Sequence, residues 1–217
     1  MKVFTALAST MVFAVAANAG FTGLTIEEYV GDGWVDNGYV GLTTWRLYAN
    51  FDDPADGVLA VNGSSAGAMW MESEDGMFHN DGTFDSLTAP EDYTGSPFFF
   101  WANQWDTYVT IDTDTSDGDA TALSPGFDGE VGGLVGDFYT ENAAWYVTPD
   151  DAPQGLADGG KVLLAQLVVA EGLNVKGQLN LLFYDGSEAM GLTFDSIPAP
   201  GALALLGLAG LVSRRRR

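Results

Sequence analysis

The stretch that decides the fold class is KVLLAQLVVAEGLNVKGQLNLLFY, residues 161–184. In its second half, apolar and polar residues alternate from Val175 to Phe183, which is the two-residue period of a half-buried β-strand. Its first half is a continuous apolar run that periodicity alone could also fit to a helix, but its three valines favour a strand. The short link Glu171–Asn174 between the two halves then predicts a β-hairpin.

The rest of the chain repeats this pattern of short strands separated by turn-forming residues. Residues 39–51 place alternate side chains on opposite faces of a strand: Trp45, Leu47, Ala49 and Phe51 against Arg46 and Tyr48. Further strands are predicted at Gly57–Val61, Phe98–Trp101, Tyr108–Ile111 and Ala144–Val147, with tight turns at Asn37-Gly38 and Asn62-Gly63. No segment sustains a 3.6-residue period. We therefore predict one all-β domain, an antiparallel β-sandwich or jelly-roll-like fold.

The N-terminus has the three parts of a secretory signal peptide. Lys2 precedes an apolar run, and Ala17-Asn18-Ala19 forms a small-x-small cleavage site. An uncleaved membrane anchor is the alternative, but the run is short for a span. We expect a signal peptidase to remove residues 1–19 after Ala19, which leaves residues 20–196 as a single exported domain.

The charge of the predicted domain is strongly negative. All 30 acidic residues lie within 20–196, whereas only Arg46, Lys161 and Lys176 of the basic residues do, so the domain has a net charge of −27. Such a surface repels phosphates and excludes a nucleic-acid partner. The remaining interpretations are solubility in salty water, divalent-cation binding, and a repulsive or ion-bridged layer at a cell surface. The absence of cysteine excludes disulfides and thiolate chemistry.

An acidic run follows the strand predicted at residues 108–111. Four aspartates fall within eight residues of this turn: Asp112, Asp114, Asp117 and Asp119. Calcium prefers six to eight oxygen ligands, and closely spaced carboxylates on a tight loop can supply several of them. The spacing does not meet the EF-hand pattern, and a solvated acidic turn is the alternative. We predict a calcium site here as a hypothesis.

The aromatic run FFFWANQW, residues 98–105, is the first candidate for a ligand-binding surface, because its aromatic rings cannot all face one interior. We predict sugar stacking on three of them, Phe99, Trp101 and Trp105. Most other tryptophans are expected to fill the core.

The second candidate is GSSAG, residues 63–67, which matches the nucleophile motif of α/β-hydrolases at Ser65. Its base would have to be His79, the single histidine, in a chain without βα units, and a solvent-facing loop position explains that residue better. We therefore predict no catalytic residues and no enzyme activity.

The C-terminus, IPAPGALALLGLAGLVSRRRR, residues 197–217, joins a short apolar segment to four arginines. As a helix, its twelve apolar residues from Gly201 to Val212 would be roughly 18 Å long, against a hydrocarbon core of about 30 Å. Its arginines would remain cytoplasmic under the positive-inside rule. These features predict a transient insertion into the inner membrane.

This tail resembles the PEP-CTERM sorting signal of exported bacterial proteins. The resemblance rests on the proline motif, the apolar segment and the basic end: Pro198, Ala199, Pro200, Gly201, Arg214, Arg215, Arg216 and Arg217. Ala199 stands where the family's namesake motif has Glu. The resemblance implies that an exosortase processes the tail and delivers the protein to the cell surface or an exopolysaccharide matrix.

The sequence thus predicts an exported, exosortase-sorted protein with a structural or adhesive role at the cell surface or in the extracellular matrix. Calcium is its expected cofactor, if it has one. The alternative function is an exopolysaccharide-binding module, and a secreted hydrolase around Ser65 and His79 ranks third.

Overall fold

The computed structural model describes residues 9–10, 20–29, 41–80, 87–89, 105–114, 118–127, 134–148, 154–157 and 159–197. The strands within these ranges are β1 (Ser9–Thr10), β2 (Phe21–Glu28), β3 (Leu42–Phe51), β4 (Val58–Asn62), β5 (Met69–Ser73), β6 (Tyr108–Val109), β7 (Ala122–Leu123), β8 (Phe138–Thr140), β9 (Ala144–Tyr146), β10 (Lys161–Ala170), β11 (Val175–Phe183) and β12 (Glu188–Asp195).

These strands form two sheets, and every strand pair is antiparallel. The first sheet has the order β1-β2-β3-β10-β6. The second has the order β7-β9-β4-β11-β5-β8, with β12 on the other edge of β11. The inward residues of both sheets form one apolar core. The predicted all-β sandwich is confirmed.

Strands β4 and β5 lie end to end along one edge of β11 in the second sheet, with an interruption between them. Residues 180–183 of β11 pair with β4, and residues 175–178 pair with β5 in the same direction. The chain leaves the sheet only for residues 63–68. A tight turn does form directly after Asn62-Gly63, where the Ser64 and Gly67 N–H groups donate to each other's carbonyls at 2.9 and 3.0 Å. This turn does not join two antiparallel strands, because β4 and β5 run in the same direction.

A second interruption, between β8 and β9, lies beside the one between β4 and β5 and explains its position. Strands β8 and β9 are aligned in the same way along β5 and β4, with residues 141–143 between them. The Gly63 N–H donates to the Ala143 carbonyl at 2.9 Å. A Cβ on Gly63 would lie 2.3 Å from the Thr140 carbonyl oxygen, so only glycine allows the two breaks to pack together.

The predicted hairpin of residues 161–184 was wrong, although both of its strands exist. Strand β10 lies in the first sheet between β3 and β6, whereas β11 lies in the second. The link between them contains a turn in which the Leu173 N–H donates to the Ala170 carbonyl at 3.1 Å, and from it the chain passes to the second sheet, which packs roughly 10 Å from the first. The link Glu171–Asn174 therefore connects the two layers. Strand β10 is buried on both faces, which accounts for its continuous apolar sequence.

Candidate functional site

The outer face of the second sheet carries an outward-facing aromatic pair. Trp70 on β5 and Tyr139 on β8 are directly opposed across the two strands. The residues on either side of Trp70 are fully buried methionines, so strand alternation points the indole outward. Tyr139 is 59% exposed and Trp70 is half-buried. Together with Glu72, Asp137 and Phe138 they line a shallow groove of about 410 Å³.

Two polar residues extend this pair into a row across four strands. Gln178 on β11 is opposed to Trp70, and Thr193 on β12 is opposed to Gln178. The Gln178 side-chain amide donates to the Ala68 carbonyl at 2.9 Å, which holds the glutamine in place. We call the four side chains Tyr139, Trp70, Gln178 and Thr193 the aromatic row.

A charged row runs beside the aromatic row, two residues further along the strands. Glu72, Lys176 and Asp195 are opposed to one another across β5, β11 and β12. The Lys176 ammonium lies 3.1 Å from the Glu72 carboxylate, and this hydrogen bond raises the pKa of Lys176. Asp137 lies at the groove, where its carboxylate accepts the Ser73 N–H at 2.8 Å. The groove therefore has carboxylate oxygens in fixed positions.

The phenol of Tyr139 is held by a further carboxylate. Its hydroxyl donates to Glu141 Oε1 at 2.7 Å, and this hydrogen bond raises the pKa of Tyr139. The phenol therefore remains protonated, and its ring is restrained while most of it stays open to solvent.

The structure gives two of the four predicted calcium ligands other partners. Asp114 forms an ion pair with Arg46 at 3.2 Å. Asp119 Oδ1 accepts hydrogen bonds from the Thr121 N–H and the Gln154 side chain, each at 2.8 Å. Asp112 is half-buried, and Asp117 lies outside the described residues. Within the described ranges, no three acidic or histidine side chains converge as a metal site would require.

Arg46 belongs to a buried polar network on the outer side of the first sheet. It is 9% exposed, and its Nε donates to Gln166 Oε1 at 2.9 Å. The Gln166 amide in turn donates to the Asp106 carbonyl at 2.8 Å. The Tyr29 ring covers the guanidinium at 3.7 Å. This network positions the loop that contains Asp114, and the Arg46 charge is balanced by the Asp114 carboxylate.

All three basic residues of the domain are paired with carboxylates. Besides Arg46, Lys161 lies 2.6 Å from Glu27 and Lys176 lies 3.1 Å from Glu72. The net charge of −27 is therefore spread over carboxylates that have no basic side chain of residues 20–196 left to pair with.

Of the three predicted sugar-stacking residues, Trp105 lies within the described ranges. Trp105 is only 8% exposed, so the expectation that its ring is open to a ligand was wrong. Phe99 and Trp101 lie outside the described residues. Sequence reasoning placed Trp70 with the core tryptophans and did not single out Tyr139. The alternation in Met69–Ser73, with Trp70 and Glu72 between buried neighbours, is the signal that could have identified β5.

Ser65 and His79, the two residues that match a hydrolase motif, lie beside different sheets. Ser65 is exposed in the break between β4 and β5 of the second sheet. The His79 N–H donates to the Val168 carbonyl of the first sheet at 2.7 Å, and the residue is half-buried rather than solvent-facing as predicted.

The sorting and cleavage residues lie outside the described residues: Ala17, Ala19, Pro198, Ala199, Pro200, Gly201 and Arg214–Arg217. In the part of the chain that is described, no helix is long and apolar enough to cross a membrane. No protein-family model matches this chain, and comparisons with curated proteins and with solved structures found no match.

Proposed function

We propose that this protein is an exported component of the cell surface or extracellular matrix that adheres to matrix polysaccharide through the aromatic row. The observation that carries the proposal is the outward-facing, cross-strand pair of half-buried Trp70 and exposed Tyr139 in an open groove. Large aromatic side chains are normally buried, and an outward-facing pair indicates a binding surface.

The chemistry of the groove supports a sugar ligand in particular. Aromatic faces provide apolar contact area for the C–H faces of a sugar ring. The neighbouring amide, hydroxyl and carboxylate groups offer hydrogen bonds to its hydroxyls, as in other sites where a few polar groups orient a ligand on an apolar floor. The role is adhesive and structural, and we propose no enzyme activity.

The two ends of the chain support the proposed location. The signal-peptide pattern ending at Ala19 and the sorting-signal pattern from Pro198 to Arg217 are both typical of proteins that leave the cytoplasm. Signal peptidase and an exosortase-type enzyme are the proposed processing partners. The membrane insertion of the tail is transient in this proposal.

Affinity electrophoresis tests the binding directly. The full chain, recovered after export, is run in native gels with and without exopolysaccharide from the source organism. We expect the polysaccharide to retard the protein, and we expect Trp70→Ala with Tyr139→Ala to remove the retardation. Met190→Ala is the matched control, because Met190 is another outward-facing apolar residue of the second sheet and is 45% exposed. A wild-type mobility that does not respond to the polysaccharide would contradict the proposal.

A further inference from the structure

The aromatic row is surrounded by carboxylates with a single ammonium among them. Glu72 and Asp137 line the groove, Glu141 holds the Tyr139 hydroxyl, and Asp195 lies two residues from Thr193 along β12. Among the residues that the structure describes, the one cation beside the row is Lys176, and Glu72 holds it at 3.1 Å. These five described side chains therefore give the surroundings of the row a net charge of −3, within a domain that is itself at −27.

From this charge distribution we propose, building on the proposed function, that the ligand of the aromatic row is an uncharged polysaccharide. Chains that contain uronate, sulfate or phosphate groups are excluded. Exposed charges interact over about 8 Å at physiological salt, so an anionic sugar stacked on Trp70 would be repelled by the surrounding carboxylates. A surface that repels a ligand class contributes to specificity as much as one that attracts it.

The same carboxylates favour the hydroxyl groups of a neutral sugar. A hydroxyl group that donates a hydrogen bond to a carboxylate forms a charge-assisted bond, which is about twice as strong as a neutral one. Asp137 and Glu141 are fixed by the Ser73 N–H and the Tyr139 hydroxyl, and each carboxylate has acceptor positions beyond these bonds. The carboxylates of the groove can therefore accept hydrogen bonds from an uncharged glycan, whereas they repel an anionic one.

The dimensions of the row indicate a polymer rather than a single sugar. Four strands contribute to it, and three inter-strand spacings amount to about 14 Å from Tyr139 to Thr193. The aromatic residues occupy one end and the polar residues Gln178 and Thr193 the other. A glycan chain lying across the strands would stack its first units on the rings and form hydrogen bonds with the polar residues further along.

A chemically matched pair of polymers tests the ligand class. The full exported chain is run in gels containing chelator and either the native exopolysaccharide or the same polymer after its uronic acids have been reduced to neutral sugars. We expect the reduced polymer to retard the protein at least as strongly as the native one, in a Trp70-dependent way. Loss of retardation on reduction would show that uronates are recognised, which overturns this inference and leaves the proposed function intact.

A charge substitution provides the second arm. Alginate, a polyuronate, should not retard the wild-type chain at low salt, but should retard Asp195→Lys, because this substitution converts a carboxylate beside the row into a cation. Asp53→Lys, in the exposed loop after β3, changes the net charge by the same amount as Asp195→Lys. Alginate should not retard this control variant. Trp70-dependent retardation of the wild type by alginate overturns the inference. If neither the exopolysaccharide nor its reduced form retards the wild type, the proposed function fails as well.

Discussion

At the scale of single residues, a group of carboxylates lies beside Gly20. A Cβ on Gly20 would lie 2.5 Å from both Asp52 Oδ1 and Asp56 Oδ2. The Gly20 nitrogen is therefore within about 5 Å of each oxygen, given standard bond lengths. Desolvation, together with Asp53, Asp185 and Asp52, raises the pKa of Asp56. If the leader is removed after Ala19, this nitrogen becomes an ammonium group beside these carboxylates.

We predict that Asp56→Asn has opposite effects in the two forms of the chain. With residues before Gly20 retained, the repelled Asp56 carboxylate destabilises the fold at neutral pH. The substitution should then raise the thermal midpoint. In a chain that starts at Gly20, the same substitution removes an ion pair with the new ammonium and should lower it. The measurement is a thermal melt of all four proteins at about pH 7.

The pH dependence provides the control for this prediction. Because the folded pKa of Asp56 lies above the unfolded value, its unfavourable contribution is full above the folded pKa and disappears below about pH 3.8. The gain in the leader-containing chain should therefore vanish there. Asp185→Asn is the matched variant, because hydrogen bonds from Ser187 lower the pKa of Asp185. It should destabilise both forms at neutral pH, and a stabilising effect would contradict the assignment.

At the scale of strands, the local sequence pattern predicted where strands lie along the chain but not which strands pair. The bounds of β10 agree with the predicted strand, and those of β11 agree to within one residue, because alternation and apolar runs are local properties. Their assignment to different sheets was not predictable, since periodicity records which face is buried and not which neighbour covers it. The interruption between β4 and β5 was likewise interpreted as a hairpin turn.

Strand β11 provides a test of how tightly the second sheet is packed beneath the aromatic row. A Cβ on Gly177 would lie 2.5 Å from the Phe194 ring and 2.6 Å from the Trp70 carbonyl oxygen. Overpacking of this kind typically costs 1–3 kcal/mol, so Gly177→Ala should lower the free energy of unfolding by about 2 kcal/mol. The displaced β5 should also weaken the polysaccharide retardation. Denaturant unfolding measures the first effect and affinity electrophoresis the second.

Gly136→Ala is the control for this substitution. The nearest atom to its added Cβ would be the Gly76 carbonyl oxygen at 3.4 Å, which is an ordinary contact. We expect a change within about 0.5 kcal/mol. Equal effects of the two substitutions would mean that the close approach at Gly177 does not limit packing.

At the scale of the whole molecule, self-repulsion is the dominant electrostatic property. The domain has a net charge of −27, and its three basic residues are already paired. Salt screens repulsion between exposed charges, so raising NaCl to about 0.5 M should increase the thermal midpoint by several degrees. A midpoint that is independent of salt would show that the carboxylates are too far apart to interact.

Calcium can be separated from this general salt effect. If residues 112–119 bind the ion, calcium should raise the midpoint above that in NaCl with chelator at equal ionic strength. Asp117→Asn should then remove the difference. The protein partners of Asp114 and Asp119 bind one carboxylate oxygen of each, Oδ2 and Oδ1, so a bound ion would share these carboxylates with Arg46, Thr121 and Gln154. Equal midpoints would leave the segment as a solvated acidic turn.

The sequence by itself determined the all-β class and the acidity of the domain, and it predicted the processing signals at the two ends. These properties are local or additive: strand alternation repeats every two residues, and charges simply sum. Only the tertiary structure decided that Trp70 lies beside Tyr139, that Arg46 pairs with Asp114, and that residues 161–184 bridge two sheets. Each of these depends on which distant strands pair and in which register. That choice is made by competition among all the apolar faces of the chain for one shared core, so no single segment encodes it.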